Sequence, residues 1–217
     1  MRIKICGLTR TDQAVAIAAM GASALGFICV RQSPRYVSPD IIRTIVQALP
    51  PIDRIGVFAN ASLEHIQQTT AIGQLSGIQL HGQESPTHCQ QLRHILPDVE
   101  LIKVLRIRTP QDLVPVQDYA PYVDTFLLDA YHPQQLGGTG NALDWETLRE
   151  FNPKRPWFLA GGLGPHNVAR ALSLLSPDGI DLSSSVETSP GNKDISKVAQ
   201  LFEAISLTSE QQKIVHL

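Results

Sequence analysis

A rhythm constrains this chain more than any single motif. An apolar run, a turn rich in glycine or polar residues, and a helical stretch recur eight times along 217 residues. The strands read at 2–6, 24–30, 53–58, 77–80, 100–105, 123–129, 157–160 and 179–182. The first helix is expected to be capped by Thr9, with Asp12 completing a capping box, and to stop at Gly21 after about Met20. Further helices are expected at 38–49, 63–72, 86–95, 110–118, 143–151, 165–175 and 195–205. Most strands are unbroken apolar runs, as in parallel sheets covered by helices. Eight consecutive units predict an α/β fold: a closed (β/α)8 barrel in one domain over 1–208, with 209–217 as a short tail. A doubly wound open sheet is the runner-up, but only CGLT follows the first strand where a GxGxxG would be expected.

Composition narrows the class. A chain that is 43% hydrophobic has enough apolar matter for a large core, and a net charge of −2 gives no nucleic-acid footprint. The segment 14–30 (AVAIAAMGASALGFICV) is too short for a membrane span, which needs about 20 apolar residues. Gly21 and Gly26 break it into a buried helix and a buried strand. No secretory leader is expected, because RIKICGLTR never enters an apolar core region. Three cysteines form no disulfide framework, which fits a reducing, cytoplasmic setting. No interface signature calls for an obligate protein partner.

In a closed barrel the chemistry sits at the C-terminal ends of the strands. Cys6 ends the first strand and is followed by Gly7 and a helix start. It reads either as a small buried hydrophobe or as a thiol eased toward ionisation by a helix N-terminus. Cys29 and Cys89 lack that setting and read as structural. Arg35 lies in a loop stiffened by Pro34 and Pro39, suited to clamp a carboxylate or phosphate. His81 ends the fourth strand and can bind substrate or satisfy the loop backbone. Asp129 ends an apolar sixth strand, where an unpaired carboxylate is costly, and is a general-acid candidate. Gly137, Gly138 and Gly140 follow in a flexible or close-packed loop, with Gly138 a substrate-binding candidate and His132 offset nearby. Gly161 and Gly162 after strand seven, and Ser183, Ser184 and Ser185 after strand eight, occupy the usual phosphate position of such barrels. A short extra helix is expected there, and Asp181 just before it can orient a loop or a ligand hydroxyl. Seven scattered histidines form no HExxH or HxH pair, so a metal-free reaction on a phosphorylated small molecule is the natural inference.

Taken in order, KICGLT, GFICVRQSPRYV, QLHG, LLDAYHPQQLGGTGNALDW, LAGGLGPHNV and GIDLSSSVETSPGNKD closely resemble the phosphoribosylanthranilate isomerase family, over 4–194. The resemblance implies a (β/α)8 barrel of tryptophan biosynthesis. It implies an Amadori rearrangement, without cofactor, of N-(5-phosphoribosyl)anthranilate to 1-(2-carboxyphenylamino)-1-deoxyribulose 5-phosphate. Carried over by motif, Cys6 is the general base, Asp129 the general acid and Arg35 the partner of the anthranilate carboxylate. Gly161, Gly162, Ser183 and Ser184 fall in the phosphate segments. Ser185 stands where the family usually has glycine, which matters if that position needs a positive φ.

Other readings stay open from the residues alone. An aldolase or epimerase would use a lysine, and Lys4 and Lys103 lie on strands one and five. Lys4 shares strand parity with Cys6, so it can also be a buried salt-bridge partner that tunes the thiol. A non-catalytic phosphate-ligand barrel, or an isomerase with a second substrate from histidine synthesis, are further alternatives.

Overall fold

The structure, a computed structural model, describes residues 1–130 and 145–215. The glycines at 137, 138 and 140, His132 and the first residues of the expected sixth helix lie outside the described residues. Eight parallel strands close in sequence order: β1 (Arg2–Cys6), β2 (Ala24–Ile28), β3 (Asp53–Phe58), β4 (Gly77–Leu80), β5 (Glu100–Ile107), β6 (Thr125–Ala130), β7 (Trp157–Leu159) and β8 (Gly179–Leu182). The barrel shuts where β1 pairs with β8, Lys4 standing opposite Asp181.

Alternation along each strand divides the core in two. Outward residues such as Ile5, Leu25, Phe27, Leu80 and Phe126 pack under the helices in one large cluster. Inward residues Ala24, Ile55, Ile102, Val104, Leu127, Phe158 and Ala160 form a separate cluster inside the barrel. Along β1 the inward set reads Arg2, Lys4, Cys6 from floor to mouth. Arg2 closes the floor: it donates to Glu100 at 2.6 and 2.9 Å and to Asp53 at 2.7 Å, over the Phe158 ring.

The helices are α1 (Thr11–Ala19), α2 (Pro39–Gln47), α3 (Leu63–Gly73), α4 (Pro86–Ile95), α5 (Val116–Tyr119), α6 (Val168–Leu174) and α7 (Ile195–Val215). Ser38, Ser62 and Ser85 cap α2, α3 and α4 by accepting from the N–H of Ile41, His65 and His88. Among the described residues no helix is long and apolar enough to cross a membrane.

Several expectations need correction. Thr9 does not cap α1: its hydroxyl donates to the Gly191 carbonyl at 2.5 Å, and Arg10 occupies the cap position with Asp12 on its guanidinium. A tertiary partner has displaced the local one. The helix expected at 110–118 splits into a 3-10 turn at Pro110–Leu113 and the short α5, with Pro115 between them. Of the sixth helix, a 3-10 turn at Trp145–Leu148 is described. Helix α6 starts at Val168 rather than 165, because Asn167 is engaged with the preceding loop. Helix α7 runs on to Val215, so 209–215, read as tail, is helical. Sequence reading missed a small hairpin, β9 (Glu187–Ser189) and β10 (Asn192–Lys193), which folds back beside the barrel mouth.

Candidate active site

At the C-terminal ends of the strands a cavity of about 570 Å³ opens. Cys6, Asp129, Arg35, His81 and Asp181 all line it, as do Gly161, Gly162, Ser183, Ser184 and Ser185. Gly138, the remaining candidate, lies outside the described residues.

Cys6 is 5% exposed at the end of β1, opposite Gly26 of β2. A methyl group at position 26 would stand 2.6 Å from the Cys6 sulfur, so a missing side chain makes the thiol's seat. Burial pushes the thiol up from its ordinary range. Lys4 and Lys193 pull against that, and Asp181 adds to it. The easing expected from a helix N-terminus is therefore not what governs Cys6. Burial sets the direction, and two lysines supply the opposition. Cys29 and Cys89 are pushed up by burial to about 12 and about 11, as structural thiols would be.

Below the thiol, Lys4 is fully buried and its ammonium is 2.8 Å from Asp181. Burial would strip the proton from Lys4, but Asp181 and Cys6 outweigh it and hold it charged. Across the barrel, His81 Nε2 is 3.3 Å from Asp129 Oδ2, an ion-pair separation without hydrogen-bond alignment. The other ring nitrogen faces the Gln79 amide at 3.2 Å. Gln79 Oε1 and His81 Nε2 are buried without a hydrogen-bond partner among the described residues, and both residues face the cavity.

The loop after β2 returns so that Tyr36 bridges to Ile28 and Val37 N–H donates to the Ile28 carbonyl. This fixes Arg35 at the cavity edge. Its guanidinium is gripped by Glu187, with contacts of 2.7, 3.0 and 3.1 Å. Lys193 takes the same carboxylate at 2.7 Å and the Ser183 carbonyl at 3.2 Å. Burial acts to raise the Glu187 carboxyl, but Arg35 and Lys193 hold it below the usual range.

Gly161 and Gly162 have φ of +80° and +70°, left-handed backbone that favours glycine. Asn167 braces this turn by donating to the Gly162 carbonyl at 2.9 Å. After β8, Ser184–Val186 form a 3-10 turn, the expected extra helix in its shortest form. Ser185 sits within it at negative φ, so the departure from glycine brings no backbone strain. Its hydroxyl is buried without a partner among the described residues.

Lys103 points the other way, into a buried pair with Glu84 at 2.8 Å under the helix layer. Sequence reading missed Gln79, Glu187 and Lys193. Two weak signals were there: Gln79 shares parity with His81, and SPGN between short polar strands is a hairpin signature. Among the described residues no group of three or more His, Cys, Asp and Glu is arranged to hold a metal ion.

A family model for N-(5'-phosphoribosyl)anthranilate (PRA) isomerase matches residues 3–204. The chain belongs to this isomerase family. A relative from Acaryochloris marina, an N-(5'-phosphoribosyl)anthranilate isomerase, is 59% identical over 94% of this chain and 98% of its own. The phosphoribosyl anthranilate isomerase structure from Thermotoga maritima superposes with a TM-score of 0.88 at 33% identity, covering 95% of this chain and 98% of that one. A further structure of such an isomerase, in complex with reduced 1-(o-carboxyphenylamino)-1-deoxyribulose 5-phosphate, gives a TM-score of 0.82 at 31% identity, covering 95% and 98%. The protein is therefore an enzyme, a phosphoribosylanthranilate isomerase of tryptophan biosynthesis on a (β/α)8 barrel.

Proposed function

We propose that Cys6 and Asp129 are the general base and general acid of this isomerisation, with 1-(2-carboxyphenylamino)-1-deoxyribulose 5-phosphate as product. The observation that carries the reading is that the two groups face one cavity from separate strands, β1 and β6. Arg35 stands at one edge, and the loops after β7 and β8 stand at another. Asp129 gives its proton to the sugar ring oxygen as the C1–O bond breaks, leaving the substrate's own nitrogen as an imine. The Cys6 thiolate takes the proton from C2. That electron pair forms the C1–C2 double bond, and the imine electrons return to nitrogen. A proton added at C1 and one lost from the C2 hydroxyl give the ketone. Hydrogen has moved between carbons, and no outside oxidant or reductant is consumed.

The turn backbones at Gly161–Gly162 and Ser183–Ser185 suit a phosphate, whose oxygens accept from N–H and hydroxyl groups. Arg35 suits the anthranilate carboxylate, shared with or taken from Glu187. His81 and Gln79 present polar atoms that suit sugar hydroxyls. Asp181 serves from beneath, through Lys4. The burial of Lys4 against Asp181 and the outward course of Lys103 weigh against lysine imine chemistry. The unpaired buried cysteines support a cytoplasmic setting.

Binding measured beside turnover tests these roles. Cys6→Ala and Asp129→Asn should bind the reduced product analogue within about threefold of the parent while losing kcat, since they act on the reacting atoms. Arg35→Ala should weaken that binding by tenfold or more, roughly the worth of a charge-assisted pair. Loss of analogue binding by Cys6→Ala with kcat preserved would reverse the assignment.

A further inference from the structure

Lys4 is fully buried beneath the site, at 0% exposure, and the reaction gives it no direct part. It occupies the layer of the barrel interior directly beneath Cys6, on the same face of β1. Its only ion-pair partner among the described residues is Asp181, its register neighbour on β8, which lines the same cavity as the thiol. A lysine enclosed in this way cannot relax into water when its neighbour's charge changes. Its field on the thiol is therefore fixed in direction and little screened.

We propose that Lys4, held by Asp181, is a positioning residue whose buried charge sets how readily the Cys6 thiol gives up its proton. The proposal rests on the reading of Cys6 as base and adds the group that makes a buried thiol usable as one. The other charged or titratable groups acting on the thiol are Asp181 from β8 and Lys193 from β10. Cys29, after β2, is pushed up to about 12 chiefly by burial and stays neutral. Asp129 and His81 face it across the cavity. Of the two lysines, Lys4 exerts the larger pull toward the thiolate, ahead of Lys193. Asp181 plays two opposed parts, since it anchors Lys4 and itself disfavours the thiolate.

The charge on Lys4 gives the test its sign. Thiolate absorbance in the ultraviolet is titrated in the free enzyme, with Cys6→Ser subtracted to remove Cys29 and Cys89. Lys4→Met should move the Cys6 midpoint upward by about one pH unit or more, a tenfold loss of thiolate at a given pH. Lys4→Arg should leave it within about half a unit of the parent, since the charge is kept. The rising limb of kcat/KM should shift with the thiol in Lys4→Met. A purely structural lysine would leave the midpoint where it was in every folded variant, and that result overturns the proposal. If Lys4→Met does not fold, Lys4→Met/Asp181→Asn removes both charges and leaves none unpaired. Its midpoint should still lie above the parent's, and an unchanged one also overturns the proposal. The titration reads the thiol and not turnover, so an active Cys6→Ala enzyme would refute the base assignment without touching this result.

Discussion

Cys6 can sit at the barrel mouth because Gly26 beside it has no side chain. Gly26→Ala would put a methyl group 2.6 Å from the sulfur and 3.0 Å from the Cys6 Cα, so the thiol or its strand must move. A displacement near 1 Å in a reacting group costs about 100-fold in rate, so kcat/KM should fall by about that factor in a protein whose circular dichroism is unchanged. Retained activity would mean that the position of the thiol is not critical. Ser185 gives a second residue-scale test. Its hydroxyl is buried without a partner among the described residues and lines the cavity beside the turn after β8. If it meets the phosphate, Ser185→Ala should raise KM by about three- to tenfold with kcat unchanged, the pattern of lost uniform binding. An unaltered KM would remove Ser185 from the site. At this scale the sequence was informative wherever an unusual residue type coincided with a strand end, as at Cys6, His81, Asp129 and the two glycines. It was silent on Glu187 and Lys193, because charged residues in a polar stretch look solvated until the chain folds them inward.

The hairpin β9–β10 shows what pattern reading leaves out at the scale of elements. Period and strand length made the eight barrel strands legible, since each carries an apolar run of its own. The hairpin carries almost none and is held by long-range polar contacts: Glu187 to Arg35, Lys193 to Ser183, and Gly191 to Thr9. The same contacts explain why Thr9 failed as a cap, for its hydroxyl serves the hairpin instead. Glu187 is thus the joint between the loop after β2 and the hairpin after β8. Its side chain is 4% exposed, and it balances Arg35 and the fully enclosed Lys193. Glu187→Gln leaves the buried Lys193 and the part-buried Arg35 without their counter-charge, which should cost about 3–5 kcal/mol in urea unfolding. It should also raise KM, because Arg35 loses the anchor that aims it. A loss below about 1 kcal/mol would place this network among weak surface pairs.

Two buried carboxylates contribute to the acid sensitivity of the whole molecule. Burial alone would raise Glu84, but Lys103 and backbone N–H groups hold it below 4.5, and Glu187 is likewise held below 4.5. A carboxyl depressed in the fold contributes stability that is fully present above the unfolded value and lost as pH falls through the folded one. The thermal midpoint should therefore be level from pH 7 to about 5 and drop below about pH 4.5. In Glu84→Gln/Lys103→Met, part of that slope should vanish; an identical acid profile would show that the pair has no such role. Activity should follow a different limb. Burial raises the Cys6 thiol, so kcat/KM should climb on the alkaline side of neutrality as the thiolate fraction grows.

The most direct single measurement is the loss of phosphoribosylanthranilate fluorescence under single-turnover conditions, with substrate made fresh and Cys6→Ala and Asp129→Asn run beside the parent. If Cys6 and Asp129 are the base and the acid, each variant should slow the decay by about 10²–10⁴-fold while remaining folded. Decay within about tenfold of the parent in either variant would contradict that residue's assignment.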